Sequence, residues 1–307
     1  MHKYLLLQLL LAVCLNTLPA YAAPADTVRL RQHLIALTTT AEPRNHEHPE
    51  ALDKAADYIK TAFGMLQGQV TEQAYFVAGK KYKNIIYSTG AAHTRRLIIG
   101  AHYDVCGKQP GADDNASGVA GLLELARLLE HEVLPYRIDF VAYTLEEPPY
   151  FRSEYMGSFI HAQSLQAEQA NVIGMVSLEM IGYFSDARKS QDYPIAPMKL
   201  LYGSRGNYLA LVQKFGNGSF GRQFKRLYKA EAPLRVKSLR APAAVPGIDF
   251  SDHLNYWRFG YSALMLTDTS FYRNKNYHQP TDTWDTLNLP KMAQVVEGVY
   301  KTVLRLR

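Results

Sequence analysis

Histidine and carboxylate side chains stand directly after three apolar runs of the sequence. Residues 96–101, 138–145 and 172–178 each form a run that is typical of a buried β-strand. The polar residues that follow these runs are His102, Asp104, Glu146, Glu147 and Glu179. Because ligands of open α/β sheets bind beyond the carboxyl ends of the strands, this pattern predicts one polar site at one edge of a sheet.

Two further segments carry side chains of the same kinds. Residues 111–118 form an acidic turn before a predicted helix, with Asp114 as the second of two adjacent aspartates, and residues 276–283 form a loop that contains His278. Taken singly, an Asp-Asp-Asn turn is more often a helix cap, and a loop histidine is more often simply exposed. Together, two histidines and three carboxylates make a nitrogen and oxygen ligand set that suits zinc or a similar divalent cation.

The adjacent residues Glu146 and Glu147 indicate how such a site divides its tasks. Their side chains diverge on an extended backbone, so both serve one site only if one binds a metal and the other faces a bound water. Two neighbouring buried carboxylates without a cation would repel each other and lose their solvation. A metal ion removes both penalties.

The sequence lacks the motifs of several other catalytic classes. It contains no Gly-x-Ser-x-Gly, no His-Glu-x-x-His, no Cys-x-x-Cys and no phosphate-binding Gly-Lys-Ser/Thr loop. Cys106 is the only cysteine after the first 22 residues, so an internal disulfide is excluded there. We interpret this cysteine as a small packed residue beside the site rather than a nucleophile.

The spacing of apolar residues predicts alternating helices and strands. Helices are predicted over 28–37, 51–66, 118–129, 157–166, 208–215 and 289–304. Further strands are predicted over 74–77, 84–87, 199–202 and 262–266. The alternation favours an α/β sandwich. No linker divides the chain, and the segment 216–246, rich in Gly, Pro and basic residues, is expected to be an excursion from one domain.

The N-terminal residues predict export. Lys3, the apolar run 4–15 and the small residues around Ala22 have the order of a secretory signal peptide. We therefore expect residues 1–22 to be removed and residues 23–307 to form a single domain that is periplasmic or secreted. No later stretch reaches the ~18 apolar residues of a membrane span, so no stable membrane insertion is expected.

The net charge is only mildly positive. It is +6 for the whole chain and falls to about +5 without Lys3. Basic residues concentrate in segment 222–240, which we interpret as a solvated face, with an acidic substrate or a docking surface as the alternative. No nucleic-acid-binding motif accompanies this charge, so nucleic acid is not an expected partner.

The candidate site residues make the sequence similar to the M28 family of metallopeptidases, which includes the secreted co-catalytic zinc aminopeptidases of bacteria. The similarity covers about His102 to Asn288. The matching segments are 102–104, 111–118, 146–147, 178–183, 251–253 and 277–283. The resemblance implies a three-layer α/β sandwich, in which helices flank a mixed, mostly parallel central sheet.

The resemblance also implies a ligand set for two zinc ions. Asp114 would bridge the two ions, with its peptide bond to Asn115 in the cis form. Glu147 and His278 would complete the coordination of one ion, and His102 and Glu179 that of the other. Glu179 stands where many family members carry aspartate.

The resemblance assigns catalytic roles as well. Glu146 would be the general base that takes a proton from the metal-bridging water and passes it to the leaving amine. Tyr277 would hydrogen-bond the developing oxyanion, and packing as a loop aromatic fits the sequence equally well. Asp104 would accept the ring N–H of His102. Asp252 and Asp282 resemble supporting positions, with helix capping as the alternative for Asp282.

The implied reaction is the removal of N-terminal residues from peptides with a free α-amine. The closest alternative is a glutaminyl cyclase on the same fold. Against it stand the complete two-metal ligand set and Tyr277, which occupies a position where cyclases carry tryptophan. A binding protein with an inactive site is a second alternative, and it is disfavoured because every catalytic position is filled. The sequence indicates neither the preferred N-terminal residue nor the oligomeric state.

Overall fold

The structure, a computed structural model, describes residues 24–307. The predicted signal peptide, residues 1–22, lies outside the described residues. Within residues 24–307, every helix is too short or too polar to cross a membrane.

One eight-stranded sheet forms the centre of the fold, with the strand order β1-β2-β4-β3-β5-β8-β6-β7. The strands are β1 (Gln69–Val77), β2 (Lys80–Thr89), β3 (Arg95–His102), β4 (Arg137–Tyr143), β5 (Asn171–Glu179), β6 (Leu209–Lys214), β7 (Val236–Ala241) and β8 (Ala263–Thr267). The neighbours β4, β3, β5 and β8 run parallel to one another, and β7 runs parallel to β6. The remaining pairs, β1–β2, β2–β4 and β6–β8, are antiparallel. The expected mixed, mostly parallel sheet is confirmed.

Helices cover both faces of the sheet. They are α1 (Thr27–Thr38), α2 (Pro49–Gly64), α3 (Gly118–Leu129), α4 (Gly157–Ala167), α5 (Met198–Tyr202), α6 (Phe220–Glu231), α7 (His253–Arg258) and α8 (Leu289–Arg305). Successive strand residues point to opposite faces, so Ile99 packs in one core with α1, α2, α3, α6 and α8, while Ile98 packs in the other with α4 and α7. The expected three-layer arrangement is confirmed.

Two secondary-structure predictions after Tyr183 are wrong. Residues 208–215, predicted as a helix, contain strand β6, and residues 199–202, predicted as a strand, lie in helix α5. Strand β6 is buried along most of its length. Its apolar residues therefore do not alternate with polar ones, and a short continuous apolar run fits a buried helix as well as a buried strand. The run 199–202 lies instead on helix α5, which is largely exposed, with Leu200 at 90% exposure. These residues pair with no strand of the sheet.

The segment 216–246 is part of the sheet rather than an excursion. It contains α6 and β7, and β7 pairs in parallel with β6 from Leu209↔Val236 to Lys214↔Ala241. Helix α6 packs against the sheet through Phe220, Phe224 and Tyr228. Most of the basic residues of this segment are divided between helix α6 and strand β7, which contains Lys237 and Arg240.

Arg44 connects the end of α1 to the loop that leads into the acidic turn. Its side chain is 1% exposed and donates hydrogen bonds to the carbonyl oxygens of Leu37 (2.9 Å), Tyr103 (2.8 Å) and Gly111 (2.6 Å), and also to that of Pro110. Burial lowers the pKa of Arg44 to about 10, which still leaves the guanidinium charged at neutral pH. The planar fork of arginine is what lets one side chain reach four carbonyls.

The substitution Arg44→Met should destabilise the protein strongly. It leaves several buried carbonyl oxygens without a donor, and breaking a buried network of this kind costs about 3–5 kcal/mol. Urea unfolding followed by circular dichroism measures the change in the free energy of unfolding. Arg226→Met, which removes an exposed arginine of α6, is the matched control and should change it by about 0.5 kcal/mol or less. Equal stability of the two variants would contradict this role of Arg44.

Candidate metal centre

The sheet brings the sequence-predicted ligands together at one edge. His102 is the last residue of β3, Glu179 is the last residue of β5, and Glu147 follows the end of β4. These three parallel strands are neighbours, so their carboxyl ends meet. The acidic turn before α3 adds Asp114, and the loop before α8 adds His278. All except His278 are buried.

Asp114 joins two groups of potential ligands through its two carboxylate oxygens. Its Oδ1 lies 3.3 Å from Nε2 of His102, which is also 3.4 Å from Oε2 of Glu179. Its Oδ2 lies 3.2 Å from Nε2 of His278, which is also 3.2 Å from Oε2 of Glu147. Each group thus contains one imidazole, one glutamate oxygen and one oxygen of Asp114.

The separations between each imidazole nitrogen and its two carboxylate oxygens fit the donor set of zinc. With metal–ligand bonds of about 2.0–2.1 Å, two ligand atoms of a tetrahedral ion lie about 3.3 Å apart. The observed contacts of 3.2–3.4 Å agree with that separation. Nε2 of His102 and Nε2 of His278 are both buried and form no hydrogen bond. Two unpartnered imidazole nitrogens among carboxylates indicate a cation site.

The buried carboxylates of the site repel one another, which also indicates that a cation binds there. Burial and repulsion from Asp114 raise the pKa of Glu147 to about 8. Burial likewise raises the pKa of Glu146 well above its ordinary value, with Glu147 and Glu179 adding to the shift. Burial alone would lower the pKa of His278, but the adjacent carboxylates raise it to about 10. A divalent cation relieves this repulsion and favours the ionised carboxylates.

Backbone N–H groups hold the acidic turn and the Glu146-Glu147 pair in place. The carboxylate of Asp104 accepts hydrogen bonds of 3.1 Å from the backbone N–H of Glu146 and from that of Glu147. The carboxylate of Asp282 accepts hydrogen bonds from the backbone N–H groups of Asp113 (3.0 Å) and Asp114 (3.1 Å). Each of these aspartates therefore fixes the backbone from which proposed ligands extend.

The contacts of Asp104 and Asp252 differ in detail from the expectation. Nδ1 of His102 lies 3.2 Å from the carbonyl oxygen of Asp104 and 3.5 Å from its Oδ1, so the main-chain oxygen is the nearer acceptor. Asp252 is buried and neither of its carboxylate oxygens has a hydrogen-bond partner. Burial raises the pKa of Asp252 to about 7.

The acidic turn needs a glycine and an amide for its shape. Gly111 has φ of 60°, and a Cβ at this position would lie 2.3 Å from the carbonyl oxygen of Asp114. The peptide bond between Asp114 and Asn115 is cis, as the resemblance implied. The Asn115 side chain donates to the carbonyl oxygen of Leu178 (2.9 Å) and accepts from the N–H of Met180 (3.0 Å). The turn is thus tied to the end of β5.

Several supporting residues were not identified from the sequence. Asn274 donates to the carboxylate of Asp113 (2.7 Å), which also accepts from the N–H of Gly182 (3.0 Å). Arg44 contacts the same turn by donating a hydrogen bond to the carbonyl oxygen of Gly111. Neither Asn274 nor Arg44 belongs to a motif, so only the folded contacts reveal them.

Glu146 and Tyr277 face a cavity of about 200 Å³ that opens at the ligands. Oε2 of Glu146 lies 3.9 Å from Nε2 of His102, farther than the oxygens of Asp114 and Glu179. Tyr277 lies against His278, with ring centroids 3.8 Å apart and planes 18° apart. Both residues are therefore beside the ligand groups rather than within them.

The substitution Asp114→Asn should remove most of the bound zinc. It takes the shared negative charge from both ligand groups and leaves an amide that cannot bridge cations. We expect the zinc content after dialysis, measured by mass spectrometry, to fall to about a tenth of that of the wild type or less. Asp285→Asn, at an exposed position, should retain the wild-type content. Full zinc content in Asp114→Asn would contradict the bridging geometry.

Comparison with known proteins identifies the family of the chain. The sequence profile of Peptidase family M28 matches residues 84–303. The uncharacterized protein YfbL of Escherichia coli strain K12 is 47% identical to the chain over 292 residues, which span 92% of this chain and 90% of that relative.

Solved structures share the fold. The Legionella pneumophila LapA aminopeptidase is 20% identical, with a TM-score of 0.72 over 91% of this chain and 71% of its own. The Fimbriiglobus ruber glutaminyl cyclase is also 20% identical, with a TM-score of 0.71 over 93% of this chain and 97% of its own. These similarities establish the architecture, and the profile match establishes the family. The chain belongs to peptidase family M28.

Proposed function

We propose that this protein is an exported aminopeptidase that uses two zinc ions to remove N-terminal residues from peptides. The observation that carries the proposal is the position of Asp114, whose two oxygens each contact a different histidine, and each histidine in turn contacts a different glutamate. Membership of peptidase family M28 and the fold shared with the LapA aminopeptidase support it.

The residues divide into two coordination sets. His102, Glu179 and one oxygen of Asp114 would hold one zinc ion, and His278, Glu147 and the other oxygen of Asp114 would hold the second. When bound, zinc polarises the scissile carbonyl and lowers the pKa of the attacking water. Hydrogen bonds to the side chains of Asp104, Asp282 and Asn115 hold the backbone that carries these metal ligands in place.

Glu146 moves the proton in the proposed mechanism. Its backbone is fixed by Asp104, and its carboxylate faces the cavity without belonging to either coordination set. It would accept a proton from the attacking water and donate that proton to the amine that leaves.

Tyr277 would donate a hydrogen bond to the oxygen on which negative charge develops. Burial, together with nearby carboxylates such as Asp114, raises the pKa of its phenol, so the hydroxyl keeps the proton that a donor needs. The stacking on His278 holds the ring at the rim of the cavity.

The free α-amine of the substrate would bind near the carboxylates of Glu146 and Glu179. Both residues line the cavity, and an ammonium group compensates their negative charge. A chain that must place its terminal amine there is cleaved only at its end, which accounts for exopeptidase rather than endopeptidase action.

Glutaminyl cyclase activity is the second candidate. The structural similarity to the Fimbriiglobus ruber enzyme, over 97% of that chain, favours it. Two complete ligand pairs around Asp114 favour hydrolysis instead. Ammonia release from a peptide with N-terminal glutamine, with no hydrolysis of other peptides, would support the cyclase.

The substitution Glu146→Gln tests the proposed mechanism. It should lower kcat toward aminoacyl 4-nitroanilides by about 10²–10⁴-fold, because general acid–base catalysis contributes about that factor. Zinc content should remain that of the wild type, near two ions per chain, because Glu146 is not a ligand. A chelator should abolish wild-type turnover, and added zinc should restore it.

Glu154→Gln, at an exposed position, is the matched control and should retain activity. Wild-type turnover in zinc-loaded Glu146→Gln would contradict the role of Glu146. Absence of hydrolysis by zinc-loaded wild-type protein across the substrate panel would contradict the aminopeptidase proposal itself. Sequencing the mature N-terminus tests export, with Ala23 expected as the first residue.

A further inference from the structure

Aromatic side chains and one lysine line the cavity at the metal centre, together with the carboxylates. The lysine is Lys237 of β7. The aromatic wall consists of Tyr193, Tyr202, Tyr208, Phe250, Phe271 and Tyr272. The lining thus combines negative charge at the ligands, a largely apolar surface, and one positive charge from a lysine. Asp192 also lines the cavity, and its carboxylate forms an ion pair with Lys275 (2.7 Å).

Lys237 is half-buried and lacks a counter-ion. Its Nζ lies 3.7 Å from the centre of the Tyr208 ring and donates to the carbonyl oxygen of Tyr202. An ammonium group has three donors, so this carbonyl uses only one of them. Among residues 24–307, no carboxylate forms an ion pair with Lys237.

The other charges near Lys237 are positive. Burial, with Arg235 and Arg273 adding to it, lowers the pKa of Lys237 to about 8. The guanidinium of Arg273 lies over the same Tyr208 ring, 4.8 Å from its centre, and its buried Nη2 has no hydrogen-bond partner. Desolvated positive charge without a partner is costly unless an anion binds beside it.

We propose that Lys237 determines specificity by binding a carboxylate of the peptide substrate, so that peptides with an acidic N-terminal residue are preferred. This inference rests on the proposed aminopeptidase function. The aromatic wall would pack against the methylene groups of the substrate side chain, and the ammonium group of Lys237 would pair with its carboxylate. The C-terminal carboxylate of a short peptide is a second source of the same chemical group.

The basic segment 222–240 thereby divides into two parts. Lys237 is its only basic residue among those that line the cavity. Lys225 and Lys229, in contrast, lie on helix α6, and Lys229 is exposed. The alternative interpretation of this segment, an acidic substrate, therefore applies to Lys237 rather than to the segment as a whole.

The test compares zinc-loaded wild-type protein with Lys237→Met on the 4-nitroanilides of glutamate, glutamine and leucine. Glutamate and glutamine have almost the same shape, so their ratio of kcat/KM reports the charge. We expect the wild type to prefer glutamate and Lys237→Met to lower the glutamate-to-glutamine ratio by about tenfold or more. Lys237→Arg should retain most of the preference, and Lys229→Met should leave the ratio unchanged.

A purely structural role of Lys237 gives a different result. If the lysine only holds the carbonyl oxygen of Tyr202, Lys237→Met should lower kcat/KM for all three substrates by the same factor. An unchanged glutamate-to-glutamine ratio therefore excludes the substrate side chain as the partner of Lys237. The inference as a whole is overturned if Lys237→Met also leaves unchanged the preference between the free acid and the amide in the comparison below.

Short peptides distinguish the two sources of the carboxylate. The comparison is between Leu-Gly and Leu-Gly-amide. A preference for the free acid that disappears in Lys237→Met assigns the lysine to the C-terminal carboxylate, whereas a preference limited to N-terminal glutamate assigns it to the side chain. Either result supports carboxylate binding, and the absence of both preferences rejects it.

Calorimetric titration separates this inference from the proposed function. If the wild type hydrolyses none of the substrates, the aminopeptidase proposal fails, and zinc-loaded protein is titrated with Glu-Leu-amide and Gln-Leu-amide. Tighter binding of the glutamate peptide, reduced about tenfold or more by Lys237→Met, still supports the inference. Equal binding of both peptides by the wild type excludes the side-chain carboxylate, and equal binding of Leu-Gly and Leu-Gly-amide as well overturns the inference.

Discussion

Repulsion among buried carboxylates is the constraint on which the arrangement of this protein depends. Asp114, Glu146, Glu147 and Glu179 are all buried at one edge of the sheet, and burial raises the pKa of each of the three glutamates. Charges of one sign are concentrated there only if cations compensate them. The two imidazoles with unpartnered Nε2 atoms mark where those cations fit, and the remaining structure keeps the donors from moving apart.

Hydrogen bonds between side chains and the backbone hold this edge of the sheet in place. Asp104 holds the backbone after β4, Asp282 holds the backbone of the acidic turn, and Asn115 ties that turn to β5. Arg44 supports the loop before the turn from below. Each of these contacts fixes a backbone atom close to a proposed metal ligand. Small movements of the loops therefore displace the ligand atoms less.

The sequence alone predicted the part of the site that follows strands. His102, Glu146, Glu147 and Glu179 were identifiable because apolar runs end directly before them. Asp114 and His278 sit in irregular segments, where single residues carry little signal. Their residue types grouped them with the others, and the family resemblance was needed to assign a role to each. Strand β6 was predicted as a helix because a buried strand has no alternating pattern. Arg44 and Lys237 act through contacts distant in sequence, which no local pattern encodes.

The ligands come from widely separated parts of the chain, with His102 first and His278 near the C-terminus. Ribosomes synthesise a chain from its N-terminus, so the first four proposed metal ligands are made long before the last one. Until His278 and the loop that carries it have been made, the pair that shares the second oxygen of Asp114 is incomplete. On the proposed function, a newly synthesised chain therefore cannot hydrolyse peptides inside the cell that makes it until its synthesis is almost finished.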